Sequence, residues 1–214
     1  MVSAQRIKYP RTPHLPWSPG ASADDVYLIN TSVFEGQHVV VTEKMDGENT
    51  TMSRNFIHAR SLDSAHHPSR TWAKTLHGSI QMDIPEGWRI CGENLYAKHS
   101  IAYADLTSYF MVFSIWNAEN IALSWDQTKD WCALLGLCHV PCLYEGQWDE
   151  RAIRNLYNPK VDSDKLEGYV VRLAGPISYK DFGKSVAKFV RKNHVQTDEH
   201  WMMQEVIPNH LKPE

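Results

Sequence analysis

The stretch Val39-Val40-Val41-Thr42-Glu43-Lys44-Met45-Asp46-Gly47-Glu48-Asn49-Thr50 decides how the rest of the chain is read. Three β-branched residues in a row favour a buried strand, and Asp46-Gly47 is a turn signal. A strand that ends this way presents one amine, that of Lys44, at the mouth of a site. A lysine held partly dry and near other cations can lose its proton and become a nucleophile. A surface lysine ahead of a hairpin turn would show the same letters, so the stretch gains its meaning from the residues downstream of it.

Outward from this point, strands dominate. Residues 37–42 lead into Lys44, and residues 50–54 and 56–61 read as a hairpin around Arg54-Asn55, with Arg60 at the end of its second strand. Residues 88–95 close on Gly92-Glu93-Asn94, and 167–173 form a strand opened by Glu167. Residues 109–116, a continuous apolar run containing Phe113, are expected to be buried on both faces. Residues 186–190 are the last strand and carry Lys188.

Helices are expected over 24–30 (a short helix or its cap), 70–78 with Gly78 as the stop, 124–137 with Ser124 as N-cap, 149–157, and 196–206. Strands that succeed one another without helical crossovers imply an α+β fold with mostly antiparallel sheets. Residues 8–20 hold four prolines and a glycine, which makes an extended arm: a packing strap or lid that carries Lys8, Arg11 and His14.

Composition bounds the function. A chain of 214 residues with 43% hydrophobic and 22% charged residues suits one soluble domain, with at most a small appendage. No apolar run approaches a membrane helix and the N-terminus has no signal-peptide core, so a cytoplasmic protein without membrane attachment is expected. A net charge of −3 excludes a uniformly basic coat for nucleic acid but allows a local groove. Lys180, Lys184, Lys188, Arg191 and Lys192 supply such a cluster, whose plainer reading is a solvated face. Cys132, Cys138 and Cys142 with His139 tempt a zinc reading, but they lack paired close spacings, and Cys132 sits in an apolar stretch.

Lys44, Glu93 and Glu167 each fall close to a glycine at a strand end, and Lys188 comes later in a strand. In this order the set resembles the covalent nucleotidyltransferases, the group of ATP-dependent ligases and mRNA capping enzymes. Within that group it is most similar to RNA ligases of the phage T4 RNA ligase 2 type, over residues 40–192. The resemblance implies an ATP-grasp-like nucleotidyltransferase domain of antiparallel sheets flanked by helices over residues 1–192, with a short helical tail over 193–214.

Lys44-Met45-Asp46-Gly47 looks like motif I, whose lysine accepts AMP, with Glu43 at a position whose backbone recognises adenine. Asn49 matches an asparagine that assists sealing, and Arg60 resembles the motif Ia arginine near the ribose and phosphates. Glu93 looks like the motif III ribose contact, and Phe113 resembles the motif IIIa aromatic that stacks on adenine. Glu167-Gly168 looks like motif IV, serving metal and lysine, and Lys188 resembles a motif V lysine on the α-phosphate. Motif V usually has a second lysine where Val190 stands, so Lys184, Arg191 or Lys192 is expected to substitute and to track RNA phosphates.

The resemblance implies a chemistry: ATP and Mg²⁺ or Mn²⁺ as cofactors, with Glu167 and Asp46 as metal-facing carboxylates. Lys44 would form lysyl-AMP, its neutral amine favoured by the metal, by Lys188 and by burial. RNA with a 5′-phosphate and a 3′-hydroxyl would be joined. Two other readings stay open: an RNA-binding module without ligation, and a subunit that seals only beside an end-healing kinase or phosphatase.

Overall fold

The computed structural model describes residues 6–22, 24–62, 67–192 and 206–213. Among them, four strands build one sheet and seven build another. In chain order the elements are β1 (His38–Glu43), β2 (Glu48–Ser53), β3 (Ile57–Ala59), α1 (Thr71–Ile80), β4 (Arg89–Asn94) and β5 (Phe110–Trp116). Then come β6 (Ile121–Ala122), α2 (Trp125–Leu135), β7 (Cys138–His139), β8 (Cys142–Gln147), α3 (Glu150–Arg154) and α4 (Pro159–Asp162). The chain continues through β9 (Gly168–Leu173), β10 (Ile177–Ser178) and β11 (Val186–Val190). The small sheet runs β11-β9-β1-β8 and the large one β10-β6-β5-β4-β2-β3, with β7 parallel to β5 and every other pair antiparallel. The α+β expectation holds.

β1 lies between two cores because its side chains alternate. Val39 and Val41 pack with Leu15, Phe34, Ile153, Tyr169 and Val171 on one side. Val40 packs on the other with Met45, Leu95, Met111 and Trp125, which joins the two sheets. A strand buried on both faces needs apolar residues at successive positions, and the three valines supply them. Its end, Lys44, therefore emerges between the sheets and not on an outer surface.

The β5 run is buried along both faces, as expected. α2 begins with a full capping box, Ser124 to Gln127, and stops at Gly136 in the left-handed conformation. The proline-rich arm is a strap: Leu15 N donates to Lys188 O at 2.8 Å, Gly20 N donates to Val190 O at 2.9 Å, and Leu15 is fully buried. His14 is buried too, beside Ser18, which withdraws it from any contact with phosphates.

Two expectations are corrected. Residues 24–30 form no helix; they run beside the strap, with His14 N on Val26 O and Leu28 N on His14 O, and the helical turn nearby is a 3₁₀ turn at Ser32–Phe34. Gly78 lies inside α1 and not at its end, because Ile80 is a buried residue that carries the helix further before a 3₁₀ segment, Gln81–Asp83. In the tail, the expected helix over 196–206 falls almost wholly outside the described residues. The described part runs extended: Pro208 bridges Ala97 and Leu211 bridges Leu106.

Gly168 joins the small sheet to the site. A Cβ added there would lie 1.9 Å from Phe189 O, so only glycine lets β9 approach β11 at this point. Gly168→Ala is expected to lower stability by about 3 kcal/mol or more, read from the urea midpoint at unchanged slope. A loss below about 1 kcal/mol would show that the strand ends shift apart without strain.

Candidate active site

The register of β1 against β9 decides the geometry. Glu43 pairs with Tyr169, and the ladder runs on so that Lys44 N donates to Gly168 O at 3.0 Å. Glu167 thereby falls beside the lysine, and Lys44 Nζ donates to Glu167 Oε2 at 2.6 Å. The amine is one-quarter exposed and the carboxylate is buried, so the pair sits at the edge of an interior space.

That space is a cavity of about 430 Å³ between the sheets. Lys44, Glu43, Asn49, Arg60, Glu93, Phe113 and Lys188 all line it. Glu93 reaches it because Asn49 of β2 pairs with Glu93 of β4. Arg60 reaches it from the end of β3, where its N–H donates to Asn49 O at 2.9 Å. Phe113 owes its orientation to a bulge: Cys91 faces Ser114 and Gly92 faces Val112, so Phe113 has no partner across the strand pair. Bulges re-aim side chains beside sites, and this one leaves the ring half-buried in the cavity wall.

Gly47 and Asp46 support the site without lining the cavity. A Cβ on Gly47 would meet Asn94 O at 2.5 Å, so the turn closes on β4 only with glycine. Asp46 Oδ2 accepts from Ser100 N (2.8 Å), Ser100 Oγ (2.7 Å) and Ile101 N (2.8 Å), while Asp46 N donates to Tyr103 Oη at 2.9 Å. Asp46 thus ties the turn after Lys44 to the 96–106 loop. Of the basic residues expected on RNA phosphates, Lys184 and Lys192 are exposed and outside the cavity. Arg191 is corrected: it is only 5% exposed, because the strap crosses it at Gly20, and a buried guanidinium cannot follow a strand on the surface. Val190 is buried as well, so no second cation stands on β11 at the cavity.

The cavity wall also includes residues that the sequence did not point to, beside Arg11 of the arm, which it did. Tyr9 packs edge-on against Phe113 with ring centroids 5.0 Å apart, and against Phe182 at 5.3 Å. Arg11 and Asp25 line the mouth, with Asp25 3.9 Å from Lys188. Arg172 lies at the floor, 5% exposed, donating to Leu123 O at 2.7 Å, and burial lowers its pKa to about 10. The only sequence signal was the basic, proline-stiffened character of the arm itself.

The charges act on one another strongly. Burial lowers the Lys44 pKa, but the charges of Glu167, Glu93 and Asp46 outweigh it and hold the amine above its ordinary value. In the free protein the carboxylates win over burial. Lys188 moves the other way, lowered by burial and by the Lys44 charge. Burial raises Glu43 to about 7, and burial raises Glu93 to about 8 against the pull of Lys44.

The sequence profile of the RNA ligase family matches residues 37–190. The chain belongs to the RNA ligase family. A search of curated proteins finds no match. Among solved structures, the fold is similar to an archaeal ATP-dependent RNA ligase, with a TM-score of 0.58 and 15% identity over 87% of this chain and 48% of that one. It is also similar to a putative ATP-dependent DNA ligase from Aquifex aeolicus (TM-score 0.56, 18% identity, 87% of this chain and 50% of that one). A third is a mutant Naegleria gruberi RNA ligase with ATP and Mn (TM-score 0.51, 17% identity, 76% of this chain and 52% of that one). The chain spans about half the length of these solved chains.

In this RNA ligase family member, the raised Glu93 carboxyl has a measurable consequence. The folded state holds that proton more tightly than the unfolded one, so the stabilisation is complete below about pH 4.5 and is lost as pH rises through about 8. Glu93→Gln is expected to flatten this decline in urea unfolding curves between those limits. A decline of unchanged steepness in the variant would assign it to other groups.

Proposed function

We propose that the protein is an ATP-dependent RNA ligase that works through a lysyl-AMP intermediate on Lys44. The observation that carries this reading is the Lys44–Glu167 pair at 2.6 Å, on the rim of a cavity lined by Phe113, Glu93, Arg60 and Lys188. A space of about 430 Å³ with one aromatic wall and cations near its mouth suits a purine nucleotide with its phosphates. Asn49 Oδ1, buried without a hydrogen-bond partner, is an acceptor left for a donor on a substrate.

Phe113 and Tyr9 enclose the base, Glu93 accepts from ribose hydroxyls, and Lys188 and Arg60 draw the triphosphate to Lys44. The amine of Lys44 gives up a proton, for which Glu167 is the acceptor in reach. The nitrogen then bonds to the α-phosphorus as the bond to pyrophosphate breaks. Arriving phosphates add negative charge near Glu43, which favours its protonated form. AMP then moves from Lys44 to an RNA 5′-phosphate, and a 3′-hydroxyl displaces it to give a phosphodiester.

Among the described residues, no three His, Cys, Asp or Glu side chains gather into a metal cage. Mg²⁺ suits such a site all the same, since it binds through one or two carboxylates, waters and substrate phosphates. Glu167 and Glu93 are the carboxylates in place, Asp46 having one oxygen fully engaged. Mg²⁺ or Mn²⁺, when bound, would offset phosphate charge and oppose protonation of Lys44.

Residues 1–192 act in this reading as the adenylyltransferase unit. No helix among the described residues is long and apolar enough to cross a membrane. The free thiols of Cys91, Cys132, Cys138 and Cys142 accord with a reducing cytoplasm.

Incubation with Mg²⁺ and α-labelled ATP, then a denaturing gel, tests the proposal. Label should survive denaturation in the wild type and vanish in Lys44→Ala. Its rate of appearance should climb from about pH 6 towards about pH 9, because Lys44 must lose a proton held by its carboxylates. No label in the wild type with ATP or GTP would overturn the covalent reading in favour of a binding module or a partner-dependent subunit.

A further inference from the structure

The proline-rich strap crosses the mouth of the nucleotide cavity, and its anchors lie on both walls. On the large-sheet side, Arg60 Nε donates to Tyr9 O at 3.4 Å. On the small-sheet side, Lys188 N donates to Pro13 O at 2.9 Å. Between those anchors the chain can span about 13 Å at full extension. Arg11 is the middle residue of this span, and it lines the cavity together with Arg60 and Lys188. Pro10 and Pro13 restrict the backbone on either side of it. The strap therefore carries a guanidinium to a fixed place between two other cations.

The other cations of the cavity are committed, and Arg11 is not. Lys44 holds Glu167, Lys188 faces Asp25, and Arg172 donates from the floor to Leu123 O and Leu173 O. Arg11 Nη1 donates to a backbone carbonyl, Asp24 O, at 3.2 Å, and Arg11 forms no ion pair among the described residues. Asp25 shares the mouth, but its Oδ2 accepts from Ser22 N and Ser22 Oγ at 2.9 Å and its Oδ1 points to Lys188. Burial, and then the charge of Arg11, lowers the pKa of Arg60, as expected of like charges held close together. An anion between the two guanidiniums would relieve that repulsion, and their planar forks suit phosphate oxygens. In the ligase reading, on which this inference rests, Lys44 and Lys188 serve the α-phosphate. Val190 is buried and adds no cation, so the outer phosphates must look to the mouth.

We infer that Arg11 of the strap, with Arg60 opposite, is an anion clamp at the mouth that holds the β- and γ-phosphates of ATP and then the 5′-phosphate of RNA. Both occupants follow from in-line displacement, which puts the entering and leaving groups on opposite sides of phosphorus. In the first step Lys44 Nζ bonds to the α-phosphorus and loses its proton to Glu167. The bond to the bridging oxygen breaks, and its electron pair leaves with pyrophosphate on the side away from Lys44. In the second step Lys44 is the leaving group, so the attacking 5′-phosphate oxygen must enter from the side that pyrophosphate vacated. The P–N bond breaks as the new P–O bond forms, and the amine recovers a proton. One clamp on the outer side of the α-phosphate therefore serves both steps.

Full-length protein would be titrated calorimetrically, with Mg²⁺ present, with AMP and with α,β-methylene-ATP, whose α–β link cannot break. Arg11→Ala should weaken the analogue about tenfold, as for one charge-assisted contact, and leave AMP within about twofold. Arg11→Lys should recover most of the loss. Lys8→Ala removes an exposed strap cation outside the cavity and should change neither ligand. With lysyl-AMP preformed from α-labelled ATP, Arg11→Ala should raise about tenfold the half-saturating concentrations of pyrophosphate and of 5′-phosphorylated RNA that discharge the label. Analogue affinity within about twofold of wild type in Arg11→Ala overturns the clamp. Equal losses for AMP and the analogue overturn it too, because they would trace to the packing of the strap. A loss for pyrophosphate without one for RNA overturns the shared use. A wild type that shows the expected AMP and analogue pattern but forms no lysyl-AMP would defeat the ligase reading and leave the anion site standing.

Discussion

The pairing of β1 with β9 is the constraint on which the site depends. Glu43 opposite Tyr169 sets Lys44 opposite Gly168, and Glu167 then has nowhere to be but beside the amine. A slip of one residue would turn Val39 and Val41 out of their core and carry Lys44 to the wrong face. The two hydrophobic clusters on either side of β1 exclude that slip, since each accepts only alternate valines. Ordinary apolar packing thus fixes the position of a charged pair that contributes little to the core itself.

That pair belongs to a cluster whose members are out of balance in the free protein. Lys44 is held protonated by three carboxylates, Glu93 is pushed towards neutrality, and Lys188 is pushed towards losing its proton. Asp25, reaching in from the segment next to the strap, stands 3.9 Å from Lys188 and partly offsets it. Strong mutual shifts in a cleft are common where chemistry is done, and also occur in structural ion-pair networks. Here the cavity beside the cluster, with its one aromatic wall, separates the two cases, because a structural network has no need of an open wall.

Much of this was legible in the sequence, for physical reasons that can be named. A triple valine ending in Lys44, and glycines beside Glu93 and Glu167, are local signals, and local signals survive folding. The direction of Phe113 was not local: a bulge against Gly92 decides it, and nothing in a run of apolar letters marks the extra residue. Arg191 misled because proximity to Lys184 and Lys188 in sequence says nothing about what crosses over it, and the strap does. Tyr9 and Arg172 escaped for the same reason, since their places come from contacts between distant parts of the chain. The clustered cysteines show the opposite error avoided: Cys132 is in the core, while Cys138 and Cys142 lie on different strands.

The turn after Lys44 shows how far such dependence reaches. Asp46 is clasped by Ser100 and Ile101, and its N–H is held by Tyr103. Tyr103 N in turn donates to Oδ1 of the buried Asn209, whose own Nδ2 donates to Leu95 O at 2.8 Å, while Tyr109 Oη donates to Asn209 O. Lys98 N on Ile207 O and Leu106 N on His210 O extend the same brace. The tail segment 206–213 therefore holds the loop that holds the turn that holds Lys44. Displacements of about 1 Å at reacting atoms can cost about a hundredfold in rate. A lysine on a strand end, with a flexible side chain, gains its accuracy from backbone that is fixed on both sides: by β9 before the turn, and by the tail through Asn209 after it.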